Sequence, residues 1–385
     1  MSETMIFELT PEQQAIADSV RRFTEREYDW DSRMRAIRGS EGRDPAHWAV
    51  FAELGWLGAG LPEEAGGFGG SAIENAVIAQ ELGKALVNEP FAVHVAAINL
   101  LASSPHAAIA EMIEPVMMGE TRIAAAMHEA GARGDFRMIA TRFDRNGDGF
   151  TISGAKSLVE GAASADLILV PAMGDGGLAV FAIPARANGV ALRPYRLLDN
   201  SHVCDVTLDE VAVAGDALVA MGDEGELAFA RAVDEALIAL CAGALGTMEA
   251  ALWATRDYLL TRTQFRVPLA NFQVLQHRMA DMLIEVEMTR SLLFHALGAA
   301  QAAMADGGIA SVDASARAAA VSALKAQTGH AGLHVGREAI QMHGGIGVTE
   351  ELAISHHYRR LFVINRLLGD EAVHLERFAK AVDGE

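Results

Sequence analysis

A twenty-residue stretch, residues 262–281, contains three arginines, two phenylalanines and three glutamines, but only one proline and no glycine. An ordinary turn between helices needs little more than Gly, Pro, Asn or Asp. Arginine guanidinium groups can clamp an oxyanion, aromatic rings can stack, and carboxamides both donate and accept hydrogen bonds. The composition therefore predicts a loop that holds a flat, phosphorylated molecule. A helical hairpin whose connecting loop is merely polar is the alternative.

A second polar cluster follows near the C-terminus, where Gln341 and His343 precede three glycines, Gly344, Gly345 and Gly347. Glycine adopts backbone conformations closed to other residues and lets a ligand approach the main chain. A glycine that ends a helix would explain one of the three and leave the other two unexplained. The cluster predicts a second place where a ligand lies against backbone.

Two apolar runs at helical spacing position the arginine-rich stretch between them. They are marked by Leu237, Leu240, Leu245, Met248, Leu252 and Leu259 on one side and by Met279, Met282, Val286, Leu292 and Leu293 on the other. Four short β-like runs lie earlier, at residues 150–153, 167–170, 178–183 and 203–208. We predict a helical domain over 1–119, a β domain over 120–222 and a helical bundle over 223–385.

Two local motifs support this division of the chain. Thr10, Pro11 and Gln13 have the pattern of a capping box with proline at the first helical position. The segment from Asp144 to Gly149 resembles the start of a calcium loop, but its twelfth position is Ala155, which cannot supply the bidentate carboxylate. The segment is therefore expected to be a hairpin turn.

Composition excludes several classes of protein. The 385 residues carry a formal net charge of -20, which argues against a nucleic-acid surface and against binding to anionic membranes. Two distant cysteines without a CxxC motif favour neither a zinc cluster nor a disulfide framework and are typical of a reducing, cytoplasmic compartment. The acidic N-terminus lacks the apolar segment of a signal peptide, and no run of about 18 uninterrupted apolar residues predicts a membrane helix.

No hydrolase or metalloenzyme motif is present. The sequence contains neither GxSxG nor HExxH. His356 and His357 are adjacent, so on a helix they would point to different faces and make a poor metal pair. We expect no metal site.

With its three-block order and its two polar loops, the chain resembles the acyl-CoA dehydrogenase family. The family's central loop reads R-x-x-F-G, then F-Q and a following Q. Its later motif reads Q-x-x-G-G-x-G. The corresponding residues here are Arg262, Phe265, Phe272, Gln273 and Gln276, and then Gln341, Gly344, Gly345 and Gly347.

The resemblance implies a mostly α fold with a middle β domain: an N-terminal helical domain, a β-barrel-like domain and a C-terminal four-helix bundle. It implies FAD as cofactor, α,β-dehydrogenation of an acyl-CoA thioester and oligomerisation through the bundle. In the family the two loops reach across a dimer to the partner's FAD. The implied cofactor contacts are Arg262, Phe265, Gln273, Gln276, Gln341, Gly344 and Gly345, with Arg262 facing the diphosphate.

The residues expected to act as catalytic base depart from the family pattern. The usual glutamate lies in a Tyr-Glu-Gly-Thr segment, and the matching place here holds residues 367–370, Leu-Leu-Gly-Asp. Some relatives place the base on the helix that enters the C-terminal domain, where this chain has Ala236. Glu235 is one residue earlier, a turn of about 100° around a helix. Glu235 is the candidate base if this chain has one.

The segments that would face the flavin ring also differ. The family's T-E-P-x-x-G-S-D is replaced by residues 128–135, His-Glu-Ala-Gly-Ala-Arg-Gly-Asp, and its K-x-W-I-T-N by residues 156–161, Lys-Ser-Leu-Val-Glu-Gly. The tryptophan and the hydroxyl groups are gone. Arg266 also replaces the glycine that follows the phenylalanine of the central loop.

This pattern, which keeps the residues that serve a partner's cofactor and loses those for the chain's own, resembles the small subunit of pimeloyl-CoA dehydrogenase and subunits of paired steroid side-chain dehydrogenases. It implies an FAD-dependent acyl-CoA dehydrogenase subunit acting on a bulky, dicarboxylic or steroid-derived acyl-CoA. Its assembly would be a homodimer or tetramer, or a heterotetramer with a second acyl-CoA dehydrogenase subunit. Its electrons would pass to electron-transfer flavoprotein or a similar acceptor. A non-catalytic scaffold subunit and a flavin monooxygenase are the alternatives.

Overall fold

The computed structural model describes residues 8–39, 42–305 and 311–383. Helices dominate both ends of the chain, as predicted. Those of the first block are α1 (Pro11–Arg26), α2 (Trp30–Arg38), α3 (Pro45–Glu53), α4 (Ala72–Lys84), α5 (Phe91–Ala102), α6 (Ala107–Ala110) and α7 (Ile113–Met117). Those of the last block are α8 (Asp223–Thr261), α9 (Gln273–Ala305), α10 (Ser311–His343), α11 (Ala353–Arg366) and α12 (Glu371–Asp383).

The first helix begins where its capping residues predicted. The N–H of Gln13 donates to Thr10 Oγ1 at 3.3 Å, and the N–H of Thr10 donates to Gln13 Oε1 at 3.0 Å. These two bonds satisfy donors that the start of a helix leaves unpaired, and Pro11 has no N–H to satisfy. The capping box is confirmed.

The middle block is a curved sheet in the strand order β6-β7-β3-β2-β4-β5-β8, with β1 pairing in parallel with β4. Its strands are β1 (Ile123–Ala125), β2 (Arg142–Asn146), β3 (Gly149–Glu160), β4 (Leu167–Gly174), β5 (Gly177–Pro184), β6 (Val190–Arg196), β7 (His202–Val213) and β8 (Leu218–Met221). The sheet encloses its own apolar core, in which the rings of Phe143, Phe150 and Phe181 pack 5.0–5.8 Å apart. The segment that resembles a calcium loop is the β2–β3 hairpin, as predicted.

Helix α8 is the central element of the molecule. It packs against α4 and α5 of the first block, against β5 and β8 of the sheet, and against α9, α10 and α11, with which it forms the four-helix bundle. Its length and apolar composition are those of a membrane-spanning helix, but 83% of its most apolar window is buried inside the fold. The apolar character of α8 is therefore that of a core helix, which packs inside the fold over its most apolar stretch.

Helices α4 and α8 touch backbone to backbone. A Cβ added at Gly246 would lie 1.9 Å from the carbonyl oxygen of Gln80, and one added at Gly83 would lie 2.0 Å from that of Gly243. Only glycine permits so close an approach.

The variant Gly246→Ala is expected to lower the free energy of unfolding by about 2 kcal/mol, because overpacking against rigid backbone outweighs the gain in helix propensity. Urea unfolding followed by circular dichroism measures this change. Gly345→Ala is the control, since a Cβ there meets no atom within 4 Å. Equal unfolding midpoints for the two variants would contradict the close contact between α4 and α8.

Candidate functional site

The arginine-rich stretch folds as a small hairpin between α8 and α9. Strands β9 (Thr263–Gln264) and β10 (Val267–Pro268) pair antiparallel, so Phe265 and Arg266 form the tip. Arg262 begins the hairpin, and its N–H donates to the carbonyl oxygen of Tyr258 at 2.8 Å. The Phe265 ring is 84% exposed. The hairpin thus presents a guanidinium group and an aromatic ring to solvent.

The glycine-rich loop lies beside the base of this hairpin. The ring of Tyr258, one turn before Arg262, stacks on the ring of His343 with centroids 4.4 Å apart. His343 directly precedes Gly344, whose φ of +66° only glycine adopts without strain. Side chains added at Gly344 or Gly345 would meet open space, so the backbone there is accessible. The structure therefore brings the two predicted loops together at one end of the bundle.

Gln273 and Gln341 are exposed on this surface, and their carboxamides make no hydrogen bond within the described ranges. An ion pair between Arg278 and Glu338 joins the first turns of α9 to the last turns of α10 and so sets their spacing. Gln276 behaves differently, because its Nε2 donates to the carbonyl oxygen of Ala270 at 2.8 Å. We call the surface formed by these residues the exposed loop surface; its members are Arg262, Phe265, Gln273, Gln341, Gly344 and Gly345.

The segment Leu367–Asp370, where the family's catalytic glutamate would stand, is a largely buried loop whose backbone is held by three side chains from other elements. We call it the Leu368 loop. The N–H of Leu368 donates to His128 Nε2 at 2.9 Å, and His374 Nε2 donates to the carbonyl oxygen of Leu368 at 2.8 Å. Lys325 Nζ donates to the carbonyl oxygen of Gly369 at 2.6 Å. Leu368 itself has a φ of +55°, a conformation that persists only where the surroundings enforce it.

Burial lowers the pKa values of His128, His374 and Lys325, the three residues that hold the Leu368 loop. Desolvation, with Lys325 and Lys156 nearby, lowers the pKa of His128 to about 4, so its ring is neutral and Nε2 can accept. Burial likewise lowers the pKa of His374 to about 3 and that of Lys325 to about 8. We call these three side chains the clamp on the Leu368 loop. The sequence did not predict the clamp. Only His128 hinted at it, because it stands where the family motif has threonine.

The cleft between the sheet and the Leu368 loop is closed. His128, Leu158 and Glu160 stand at the positions that would face the flavin ring, and together with Leu367 and Leu368 they line a cavity of about 20 Å³. Such a volume holds one water molecule. A neighbouring cavity between α4, α5 and α8 measures about 40 Å³. A flavin ring does not fit this cavity. A separate open groove of about 650 Å³ lies on β3 and is lined by Lys156, Ser157 and Leu158 together with Ala130.

The residues kept from the β-domain motifs have structural partners. Lys156 Nζ donates to Glu129 Oε1 at 2.7 Å, and Thr141 Oγ1 donates to the same oxygen at 2.7 Å. Burial lowers the pKa of Lys156 to about 8, against the attraction of Glu129. This pair therefore joins β3 to the segment between β1 and β2.

Glu235 is buried in α8, and burial raises its pKa to about 7. The neighbouring Ala236 lines the small cavity of the closed cleft, whereas Glu235 does not. This is the geometry expected from a step of about 100° around a helix. The role of Glu235 as a base stays a prediction.

Comparison with known proteins agrees with this architecture. Residues 10–120, 124–211 and 223–382 match the N-terminal, middle and C-terminal domains of acyl-CoA dehydrogenase. Acyl-CoA dehydrogenase IpdE2 of Mycolicibacterium smegmatis is 26% identical over 97% of this chain and 100% of its own. Among solved structures, a variant of the Tcur3481–Tcur3483 steroid ACAD is 28% identical, with a TM-score of 0.86 over 97% of this chain and 98% of that one. A chain of the ChsE4–ChsE5 complex from Mycobacterium tuberculosis is 23% identical, with a TM-score of 0.87 over 99% of this chain and 100% of that one.

FAD, the predicted cofactor, is the cofactor of such proteins, and a glutaryl-CoA dehydrogenase from Mycobacterium smegmatis was solved in complex with FADH2. That chain is 22% identical, with a TM-score of 0.83 over 98% of this chain and 96% of its own. The exposed loop surface fits the polar half of FAD, because a cation, carboxamides and open glycine backbone converge there. The cavity of about 20 Å³ beneath the Leu368 loop does not fit the ring half. With three domain matches in order over nearly its whole length, the chain belongs to the acyl-CoA dehydrogenase family.

Proposed function

We propose that this chain is one subunit of a hetero-oligomeric acyl-CoA dehydrogenase. A second acyl-CoA dehydrogenase subunit holds the flavin ring and the catalytic base, and this chain lends its exposed loop surface to the FAD of that partner. The closed cleft carries the proposal: His128, Leu158 and Glu160, which replace the family's flavin-facing residues, leave only about 20 Å³ between the sheet and the Leu368 loop. The chain then contributes to catalysis by retaining the cofactor and not by removing a proton.

Each residue of the exposed loop surface has a role that suits its chemistry. Arg262 binds the diphosphate, since a guanidinium donates two parallel hydrogen bonds to phosphate oxygens. Phe265 packs on the cofactor, and Gln273 and Gln341 supply polar contacts that their free carboxamides can make. Gly344 and its neighbour let the cofactor approach the backbone. When bound, FAD supplies the hydride acceptor for α,β-dehydrogenation of the acyl-CoA thioester.

An apolar surface beside the hairpin supports assembly through the C-terminal bundle. Trp253, Leu260, Leu283 and Ile284 are 39–55% exposed on α8 and α9. The first three line an apolar groove of about 290 Å³ between the two helices. Monomeric proteins rarely expose contiguous apolar surface of this kind. We assign this face to the contact with the partner subunit.

The substrate of the assembly is proposed to be a bulky acyl-CoA, steroid-derived or dicarboxylic, with electron-transfer flavoprotein or a similar acceptor taking the electrons. The relationship to the Tcur3481–Tcur3483 steroid ACAD supports the steroid-derived class. We place the assembly in the cytoplasm, in keeping with its two free, buried cysteines.

Flavin stoichiometry tests the proposal. The chain expressed alone is expected to be colourless, without the absorption near roughly 450 nm that oxidised flavins show, and inert toward a panel of acyl-CoAs. The tagged chain purified from its own source is expected to bring a second acyl-CoA dehydrogenase chain, identified by mass spectrometry, and FAD in a ratio of about one per pair of chains. A yellow, isolated chain whose flavin is bleached anaerobically by an acyl-CoA would make it a self-sufficient dehydrogenase and end the proposal.

A further inference from the structure

The tip of the hairpin is held in a conformation that its residues do not favour. Gln264 pairs with Val267, so the turn consists of Phe265 and Arg266 alone. Both have positive φ, +50° and +68°. Two-residue turns of this form favour Asn-Gly, since side chains crowd the backbone there. A non-glycine pair at such a tip stores strain, and strain of this kind concentrates at ligand clamps.

Arg266 is also a cation without a partner. It is exposed, and like Arg262 it makes no side-chain ion pair or hydrogen bond within the part of the chain that the structure describes. The other arginines of α8 and α9 near this end are paired: Arg256 with Asp257, Arg278 with Glu338, and Arg290 with Glu249. Two unpaired guanidinium groups on one hairpin stand out in a chain of net charge -20.

The chemistry of the tip selects the kind of ligand. Two guanidinium groups four residues apart, with an exposed phenyl ring between them, suit a diphosphate attached to a stacking base. The family motif has glycine after the phenylalanine, and glycine would relieve the strain but supply no charge. Arg266 therefore adds a second cation to the hairpin at the cost of a strained backbone conformation.

We propose that Arg266 is a second diphosphate-binding residue. It acts beside Arg262 and sets how tightly this chain holds the FAD carried by its partner subunit. This inference rests on the proposed function.

The experiment uses the purified complex and two variants of this chain, Arg266→Gly and Arg262→Ala. Release of FAD on dilution is followed by flavin fluorescence, and association of the FAD-free subunits by sedimentation velocity. Arg266→Gly is expected to raise the dissociation constant of FAD about tenfold, as expected for loss of a hydrogen bond to a charged group. It should leave subunit association unchanged. The same variant should raise the urea midpoint of the isolated chain, because glycine adopts the positive φ of position 266 without strain.

The possible results separate the role of Arg266 from the proposed function. Unchanged FAD affinity in Arg266→Gly, with weakened affinity in Arg262→Ala, overturns the role of Arg266 and leaves the proposed function standing. Unchanged affinity in both variants overturns the proposed function as well. Weaker association of FAD-free subunits in Arg266→Gly would mean that Arg266 contacts an acidic group of the partner protein and not the cofactor. Arg266→Lys should recover part of the affinity, since it restores the charge without the planar fork.

Discussion

Replacing Asp234 by asparagine is expected to lower the free energy of unfolding of this chain by about 3–5 kcal/mol. Asp234, on α8, accepts from Arg317 Nε of α10 at 3.0 Å and from Arg377 Nη2 of α12 at 2.6 Å. The three side chains are between 1% and 8% exposed. Asparagine keeps the shape of aspartate but leaves two buried guanidinium charges uncompensated, and desolvated charges without a partner are costly.

Equilibrium urea unfolding of the two proteins measures this difference. Asp257→Asn is the matched control, because Asp257 pairs with Arg256 on the surface, where both side chains are more than half exposed. Exposed pairs contribute little, so the control should change the free energy of unfolding by less than about 1 kcal/mol. If the two variants unfold at the same urea concentration, the buried triad does not hold α8, α10 and α12 together.

Acidification is expected to destabilise the chain steeply. His94, His128, His357 and His374 are buried, and burial lowers their pKa values to about 4, 4, 3 and 3. In the unfolded chain histidine titrates near 6.5. Between pH 6.5 and about 4 the unfolded state therefore binds protons that the folded state refuses, and stability falls as the pH falls.

Two buried carboxyl groups, Glu235 and Glu160, oppose this trend, because burial raises the pKa of each. Burial raises the pKa of Glu235 to about 7, so below that pH the folded state binds a proton that the unfolded state does not. His356, whose pKa burial also lowers to about 4, adds to the four histidines, and these groups outnumber the two carboxyl groups. The net loss of stability between pH 7.5 and 5.5 is therefore on the order of a few kcal/mol.

Urea unfolding at a series of pH values tests the acid effect. His94→Gln should reduce the slope of the free energy of unfolding against pH by about 1.4 kcal/mol per pH unit between pH 6.5 and 5. The reason is that the unfolded variant binds one proton fewer than the unfolded parent chain. His277→Gln, at an exposed site, should leave the slope unchanged. Stability that is constant from pH 7.5 to 5.5 would show that these histidines are not buried in their neutral form.

The Leu368 loop connects this stability argument with function. Two of the four histidines, His128 and His374, hold its backbone. Protonating His128 would remove the acceptor of the Leu368 N–H, and protonating His374 would place a second positive charge near Lys325. Acid should therefore loosen the loop as well as the fold. The groups that hold the Leu368 loop are thus part of what keeps the chain folded.

The sequence by itself determined the order of the three blocks, the start of α1, the β2–β3 hairpin and the two polar loops. These features depend on neighbours in the chain: a capping box is complete within four residues, and a cluster of three glycines after a helix marks a loop whose backbone a ligand can approach. The motif residues Arg262 and Gln341 also identified the family, and the domain matches confirm it.

The short strands β1, β6 and β8 were not predicted. Their own pattern is weak, and pairing with neighbouring strands is what defines them.

Only the tertiary structure decided that the cleft is closed. The sequence showed that the base and the flavin-facing groups were missing, which is compatible with an empty cleft as well as with a filled one. The clamp on the Leu368 loop comes from His128, Lys325 and His374, three residues on separate elements. No periodicity or motif links positions so far apart along the chain. They meet because α10, α12 and the sheet pack around the same loop, and because a buried backbone N–H or carbonyl must find a partner wherever the fold supplies one.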